Sequence, residues 1–289
     1  VVRRPQYVDP TKFNACGECA KVCPVEVPNE FEAGLGWRKA IYTPFPQAVP
    51  ASYVLDDRDC LGLVPLACSK CKEACDKSGA QAINYDVRPD IVEFKVGTII
   101  VATGYDLLDA SAVREYGYGA YPNVMTCLEL ERMINAAGPT GGKVIRPSDG
   151  KRPRRVAFVQ CVGSRDERWR AYCSGFCCMY TIKNAVLLKD HYPDMEITIF
   201  YIDMRTNFKG YEEFYRRARE MGITFIRGKP AEVSEDPNTG SLVVFSENQM
   251  TGRAMSLEAD LVVLSQSAVP RVGMDKLART LNVTTDGSG

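Results

Sequence analysis

The sequence has little histidine and no excess of charge of either sign. Lysine and arginine together number 36, as do aspartate and glutamate, so the formal net charge is zero. A neutral chain gives no electrostatic reason to expect nucleic acid or an anionic membrane as a partner. The single histidine, His191, lies at the end of an expected helix, before Tyr192-Pro193, where we expect a surface or capping role. A catalytic triad that depends on histidine is therefore not expected.

Long apolar runs and a secretion signal are also missing. No window contains the roughly 18 consecutive apolar residues that indicate a transmembrane helix, and no signal peptide is recognisable. These absences predict a cytoplasmic protein. Because the sequence starts at Val1 and stops after the flexible-looking stretch 284–289, we expect it to be an internal segment of a longer polypeptide.

Cysteine, in contrast, is abundant. There are 12 cysteines among 289 residues, and all except Cys127 fall within three clusters, at 16–23, 60–75 and 161–178. Clustered cysteines without secretion signals favour metal binding in a reducing compartment over disulfides. A chain of this length is expected to form two domains, or one large domain with an insertion.

The first cluster matches most of the bacterial ferredoxin pattern C-x2-C-x2-C-x3-C-P. Its cysteines are Cys16, Cys19 and Cys23, followed by Pro24, but Phe13 stands where the pattern has its first cysteine. Small residues between the cysteines allow backbone N–H groups to point at sulfide. The spacing predicts an iron–sulfur site, and zinc knuckles are the competing interpretation.

The second cluster reads as a second half of the same motif. Cys60 is followed, after a longer gap than usual, by Cys68, Cys71 and Cys75, and Asp76 replaces the expected proline. In two-cluster ferredoxins the fourth cysteine of each run serves the other cluster. The two resulting ligand sets are Cys60, Cys68, Cys71 with Cys23, and Cys16, Cys19 with Cys75.

The second of these sets lacks one ligand because of Phe13. Four explanations are compatible with the sequence: a three-iron cluster, a ligand other than cysteine such as Asp9, no cluster, or an error in the sequence at this position.

The third cluster lies in the order strand, loop and helix that is typical of a dinucleotide-binding βαβ unit. A strand expected over 156–160 ends at Cys161, and Cys173, Cys177 and Cys178 stand at the head of an expected helix, with Cys173 one helical turn before Cys177. The glycine fingerprint that would hold a pyrophosphate is missing, and cysteines stand in its place. Thiolates suit iron–sulfur clusters or zinc, but adjacent cysteines fit a zinc knuckle poorly. Buried cysteines without a metal are the alternative.

Two further features bear on nucleotide binding, and one remaining cysteine is expected to belong to the core. The β-branched run 96–104 predicts a parallel strand buried on both faces, and its small residues Ala102, Thr103 and Gly104 allow close approach to a ligand. Asp203 follows a predicted strand at the position where an NAD-binding unit holds the ribose. Cys127, at the start of a predicted helix over 127–137, is expected to be a small buried apolar residue.

Long motifs carry a resemblance to one family. They read CAKVCPVEVPNEFEAGLGWRKAIYTPFPQAVP, VGTIIVATGYD, VAFVQCVGSRDE, YCSGFCCMYTIKNA and DLVVLS. The chain resembles the A-subunit of heterodisulfide reductase, the iron–sulfur flavoprotein of methanogens and related anaerobes. The resemblance implies an α/β fold, namely a segment of a thioredoxin-reductase-like flavoprotein with two dinucleotide-binding domains and an inserted α+β ferredoxin-like domain with two clusters.

The resemblance also implies domain boundaries and site residues. Residues 1–90 would be the inserted iron–sulfur domain, 91–150 part of the FAD-binding domain, 151–270 a unit like an NADPH domain, and 271–289 a return to the FAD domain. An unusual 4Fe-4S cluster would be bound by Cys161, Cys173, Cys177 and Cys178 in place of NADPH. Lys183 would lie near the flavin N5, with Glu131 as its acidic counterpart, and Ala102, Thr103 and Gly104 beside FAD.

The implied activity is flavin-based electron bifurcation in a cytoplasmic complex, expected to be a dimer of multisubunit units. Electrons from a hydrogenase or formate dehydrogenase would be divided between ferredoxin and the subunits that reduce CoM-S-S-CoB. Two alternatives are an electron-transfer flavoprotein of sulfate or sulfur metabolism, of the quinone-interacting oxidoreductase type, and an iron–sulfur relay scaffold without flavin.

Overall fold

The computed structural model describes residues 2–63 and 67–287 and divides the chain into two compact units, residues 1–100 and 101–289. Residues 64–66, inside the long gap of the second cysteine cluster, and residues 288–289, at the end of the expected flexible tail, lie outside the described part. None of the helices in the described part has the length and apolar composition needed to cross a bilayer.

Unit 1 (residues 1–100) is built from short elements. They are β1 (Val2–Arg3), α1 (Glu18–Lys21), β2 (Val27–Pro28), β3 (Trp37–Arg38), β4 (Ile41–Tyr42), β5 (Val54–Leu55), α2 (Lys70–Lys77) and β6 (Asp90–Ile91). The strands pair as antiparallel ribbons, β1 with β6, β2 with β3, and β4 with β5. Such short ribbons bury little apolar surface by themselves, so another source of stability is needed.

The core of unit 1 consists largely of cysteine. Five buried cysteines pack there together with a few aliphatic residues such as Val8, Ile41 and Ile83; the five are Cys19, Cys23, Cys60, Cys71 and Cys75. A core that small is expected to depend on metal binding for its stability.

Unit 2 (residues 101–289) contains longer elements. They are β7 (Tyr105–Leu107), β8 (Val124–Thr126), α3 (Cys127–Ile134), β9 (Arg155–Val162), α4 (Cys177–His191), β10 (Glu196–Tyr201), α5 (Tyr211–Glu220), β11 (Thr224–Arg227), β12 (Glu232–Glu235), β13 (Leu242–Asn248), β14 (Arg253–Ala259), β15 (Leu261–Gln266), β16 (Ala268–Pro270) and α6 (Met274–Leu281). The strand expected over 156–160 and the strand predicted before Asp203 both form, as β9 and β10.

A five-stranded parallel sheet organises unit 2, in the order β11-β10-β9-β15-β8. An antiparallel meander, β12-β13-β14, and a short ribbon of β7 with β16 complete the unit. The central strand β9 is buried on both faces. Val156 and Phe158 pack in one cluster with residues of α4, and Ala157 and Val159 pack in another with residues of the meander. This explains its continuous apolar sequence and confirms the predicted α/β class.

The prediction of a strand over 96–104 is wrong. These residues form no regular strand, and Ile99 and Ile100 are 60% and 87% exposed. No strand of the described residues pairs with this run. An extended segment without a neighbouring backbone cannot form a hydrogen-bonded ladder, whatever its apolar composition. Thr103 instead contacts residues further along unit 2, because its Oγ1 lies 3.0 Å from Met274 Sδ and its carbonyl accepts a hydrogen bond of 3.0 Å from Arg271 Nη1.

Burial of Phe158 gives a direct test of this architecture. Phe158 is 0% exposed, whereas Phe208 is 70% exposed. We expect Phe158→Ala to lower the free energy of unfolding of unit 2 by about 3–5 kcal/mol, and Phe208→Ala to change it by less than about 0.5 kcal/mol. Urea unfolding followed by the fluorescence of Trp169, which packs against the core of unit 2, measures both changes. Equal stability of the two variants would contradict the assignment of β9 to the core.

Candidate metal centres

Eleven cysteines fall into three groups in the structure, and each group is named here by its members. Group I is Cys23, Cys60, Cys68 and Cys71; group II is Cys16, Cys19 and Cys75; group III is Cys161, Cys173, Cys177 and Cys178. Within each group the thiols are near enough for the charge of one to act on another. These groups are the ligand sets that the spacing predicted, and they remain predictions; the charge of Cys71, a member of group I, also acts on Cys19 in group II.

The sulfurs of group I lie in a buried environment that includes a backbone N–H donor. Burial raises the pKa of Cys60 and of Cys71, and the charges of Cys23 and Cys68 raise both further. The backbone N–H of Gly62 donates to Cys60 Sγ at 3.4 Å. A side chain at Gly62 would bring Cβ to 2.5 Å from the carbonyl oxygen of Cys68, so this close approach needs glycine.

Tyr85 is a further member of this environment that the sequence did not reveal. Its hydroxyl lies 2.8 Å from Cys71 Sγ. Burial, followed by its hydrogen bond with Cys71, raises the pKa of Tyr85, so the phenol keeps its proton and can donate it to a thiolate. Nothing in the spacing of the cysteines points to a tyrosine ten residues beyond Cys75, because the contact depends on how the chain returns after α2.

Group II contributes three thiols. Cys19 and Cys75 are buried and Cys16 is exposed. Burial raises the pKa of Cys19 to about 11, and the charges of Cys75 and Cys16 act in the same direction. The backbone N–H of Ala82 donates to Cys75 Sγ at 3.3 Å. Donors of this kind favour a negatively charged sulfur.

Group III lies where the parallel sheet meets α4. Cys161 is near the end of β9, and Cys177 and Cys178 are the first two residues of α4. Cys161 has φ 58°, which is in the left-handed region that a residue with a Cβ rarely adopts. Such a conformation persists only where the surroundings impose it, and it is often found at functional sites.

The structure corrects one expectation about this group. Cys173 was expected one helical turn before Cys177, but the helix begins only at Cys177, and Cys173 lies in the preceding loop. Gly175, at φ 82°, turns the chain between the two cysteines, and a helix cannot continue through that conformation. Cys173 nevertheless belongs to the group, because its charge acts on both Cys161 and Cys177.

The thiols of group III differ in their acidity. Burial raises the pKa of Cys161 to about 11. A hydrogen bond from Cys177 lowers the pKa of Cys178 to about 7, and the same bond raises the pKa of Cys177. The backbone N–H and the charge of Arg205 also favour the thiolate of Cys178. Group III therefore cannot be fully ionised near neutral pH unless a cation compensates the charge.

Basic residues surround group III. Arg165 and Lys229 act on Cys161 and lower its pKa against the effect of burial. Arg165 Nη2 donates to Asp203 Oδ2 at 2.9 Å, whereas its Nη1 is buried and has no hydrogen-bond partner among the described residues. An orphaned guanidinium N–H beside thiols is suited to a hydrogen bond with an anionic sulfur group.

Asp203 does not present a free carboxylate for a ribose. Its two oxygens accept hydrogen bonds from Arg165 Nη2 at 2.9 Å and from Arg227 Nη2 at 3.1 Å. The bond from Arg165 lowers the pKa of Asp203. Its backbone oxygen lies 3.7 Å from Cys178 Sγ. Asp203 therefore pairs with two arginines beside the cysteines of group III, and both of its carboxylate oxygens are engaged.

The donor atoms of the three groups have the chemistry that iron–sulfur clusters need. Among residues 2–63 and 67–287 there is no group of three or more Cys, His, Asp or Glu side chains arranged to hold one metal ion. Thiols that surround a cluster lie further apart than thiols on one ion, since the cluster's own iron and sulfide occupy the centre. Soft thiolates with N–H donors directed at them are typical ligands of such clusters.

The structure also shows the surroundings of Lys183, Glu131, Cys127 and His191. Lys183 on α4 forms an ion pair of 2.8 Å with Glu131 on α3, and both side chains are about half-exposed. Cys127 is buried and lies 3.3 Å from Ser265 Oγ, as expected of a core position. His191 ends α4 and is exposed, with Nδ1 2.8 Å from the carbonyl of Leu187.

Comparison with known proteins gives one consistent group of relatives. No protein-family model matches the sequence. The iron-sulfur A-subunit of the CoB-CoM heterodisulfide reductase of Methanocaldococcus jannaschii is 53% identical over 291 residues, which cover 100% of this chain and 43% of the relative. The A-subunit of the H(2)/formate:CoB-CoM heterodisulfide,ferredoxin reductase of Methanococcus maripaludis is 50% identical over 289 residues, which cover 99% of this chain and 43% of the relative.

Among solved structures, a thioredoxin reductase of Lactococcus lactis is 15% identical, with a TM-score of 0.39, over 86% of this chain and 70% of that one. A likeness at this level adds nothing to the assignment, which depends on the sequence relatives. The chain spans 43% of the length of the relatives that it matches. With 50% to 53% identity along essentially its whole length, the chain belongs to the family of heterodisulfide reductase A-subunits.

Proposed function

We propose that this chain forms the electron-carrying part of an iron–sulfur flavoprotein subunit in a heterodisulfide reductase complex. The observation that carries the proposal is group III. Its four thiols lie at the end of β9, in the following loop and at the start of α4, the place where a dinucleotide-binding unit holds a pyrophosphate. A cluster of the 4Fe-4S type at group III would supply a one-electron carrier inside a domain whose relatives bind a nucleotide.

The residues of group III would each have a defined task. Cys161, Cys173, Cys177 and Cys178 would hold the four irons as thiolates. Three of these thiols are buried, so water is largely kept from them. Arg165 and Lys229 would compensate the negative charge, which favours uptake of an electron.

A simple disulfide reductase driven by NAD(P)H is disfavoured by the same geometry. The loop after β9 has no glycine fingerprint, and the acid that would hold a ribose is occupied by two arginines. Cys177 and Cys178 are adjacent, unlike the spaced pairs of redox-active dithiols.

Residues from two places in unit 2 would lie near the flavin. We assign Ala102, Thr103 and Gly104 to the neighbourhood of FAD and Lys183 to the flavin N5, paired in this structure with Glu131. A positive charge near a reduced flavin stabilises its anion.

The complex would divide electrons between two acceptors. We propose that a hydrogenase or formate dehydrogenase partner supplies them, and that they pass to ferredoxin and to the subunits that reduce CoM-S-S-CoB. The names of the relatives, which include hydrogen, formate, ferredoxin and the CoB-CoM heterodisulfide, support these partners. Groups I and II in unit 1 would carry electrons towards ferredoxin.

Removal of two thiols tests the cluster at group III. In the full-length protein, purified without oxygen, we expect the double variant Cys177→Ala/Cys178→Ala to lose about four iron atoms and four sulfides per chain. Two remaining thiols cannot hold a cluster. Iron and acid-labile sulfide analysis measures the loss. Cys127→Ala is the matched control, because Cys127 is a buried cysteine outside the three groups, and it should keep full iron content. Unchanged iron in the double variant would reject the assignment.

Substitution of Lys183 tests the flavin assignment separately. In the FAD-loaded full-length protein, Lys183→Met should lower the two-electron reduction potential of the flavin by on the order of 30 mV, which corresponds to about 1.4 kcal/mol. Spectroelectrochemical titration measures the shift. Lys189→Met changes a lysine on the same helix whose Nζ donates to the carbonyl of Pro193 at 3.1 Å, and it should leave the potential unchanged. The same potential in both variants would place Lys183 away from the flavin.

A further inference from the structure

Three thiols and one phenyl ring share a small cavity in unit 1. Cys16, Cys19 and Cys75 line it, and so does Phe13, the residue that stands at the first position of the ferredoxin pattern. The remaining lining is almost entirely apolar and includes Val8 and Ile83. Group II thus faces a confined space that has three soft ligands and, at its fourth side, a hydrocarbon ring.

Phe13 is held in this place by aromatic packing. Its ring centroid lies 5.1 Å from that of Tyr53, at an interplanar angle of 52°. An aromatic pair in this tilted arrangement is favourable, by about 0.5–1.5 kcal/mol beyond the buried area. The phenyl ring offers no lone pair to a metal, and it forms part of the lining of the cavity.

Two oxygen-bearing side chains that precede Cys16 in the sequence, those of Asp9 and Asn14, are engaged elsewhere. Asp9 Oδ1 accepts hydrogen bonds from the backbone N–H of Thr11 at 2.9 Å and from its hydroxyl at 2.7 Å, and the carboxylate lies outside the cavity. Asn14 lines the cavity, but its Oδ1 accepts from the backbone N–H of Cys16 at 3.3 Å. An apolar lining also provides no partners for a water that could act as a ligand.

Resting on the proposed iron–sulfur function, we propose that group II binds a three-iron–four-sulfur cluster, with the Phe13 ring at the corner of the missing iron. Each iron of a cubane cluster needs one ligand from outside the cluster to complete its tetrahedral coordination. Three thiolates supply three irons, and a fourth iron beside Phe13 would have none. Group I, in the same unit, has four thiols and serves as the internal comparison, because it can hold a complete four-iron cluster.

The experiment compares wild type, Phe13→Cys and Phe13→Ala as full-length proteins purified without oxygen. Iron, acid-labile sulfide and the EPR spectrum of the oxidised state are measured for each. An oxidised three-iron cluster is paramagnetic, whereas a 4Fe-4S cluster in its usual oxidised state gives no signal. All other clusters are common to the three proteins, so differences report on group II.

We expect the three-iron signal in wild type and in Phe13→Ala, which removes the ring without adding a ligand. Phe13→Cys should lose that signal and gain about one iron atom per chain at constant sulfide, since a fourth thiolate completes the ligand set. If Phe13→Cys fails to fold, the spectrum of the wild type alone decides.

Two different failures are distinguishable. A wild type without the three-iron signal, but with iron and sulfide for two complete clusters in unit 1, would overturn the inference and leave the proposed function intact. If the iron and sulfide contents of the wild type and of both variants account for no cluster in unit 1, the inference is rejected. The role proposed for groups I and II is then rejected with it.

Discussion

A thiolate that is buried away from water needs positive charge beside it, and both units of this chain bury most of their cysteines. Burial is the main cause that raises the pKa of Cys19 and of Cys161 to about 11, so these groups would be neutral thiols near pH 7 without a metal. Iron binds thiolates, and its positive charge therefore offsets the cost of burying their negative charge. In unit 1 five of the eleven buried core residues are cysteines, so metal binding and folding are expected to be coupled there.

Group III shows the same constraint in a different setting. A parallel sheet buried on both faces delivers the end of β9 and the start of α4 to one point, and nucleotide-binding domains use that point for a phosphate. Under the proposed function, the charge to be held in this chain would be that of a cluster and its thiolates. Arg165, Arg205 and Lys229 act on its thiols, and Asp203 is drawn into ion pairs with Arg165 and Arg227. One scaffold thus holds either kind of anionic group, according to which residues follow the strand.

The sequence predicted what local patterns determine. Strand β9 and helix α4 were predicted because each is marked by a local hydrophobic pattern, and the ligand sets remain predictions from cysteine spacing. The run 96–104 was misjudged because a strand also needs a neighbouring backbone, which composition does not reveal. Strand β14 was not found because Arg253–Ala259 alternates exposed polar residues with few apolar ones. Tyr85 contacts Cys71, and the charge of Arg165 acts on Cys161 and Cys173, only because of the tertiary fold, so no sequence pattern indicated them.

The most direct measurement is an X-ray diffraction experiment on the full-length holoprotein, with anomalous data collected on both sides of the iron absorption edge. The structure predicts a multi-iron peak enclosed by Cys161, Cys173, Cys177 and Cys178, at the end of β9. A single-atom zinc peak at that position, or a disulfide between these cysteines with no metal, would contradict the assignment of an iron–sulfur cluster to the nucleotide position of this fold.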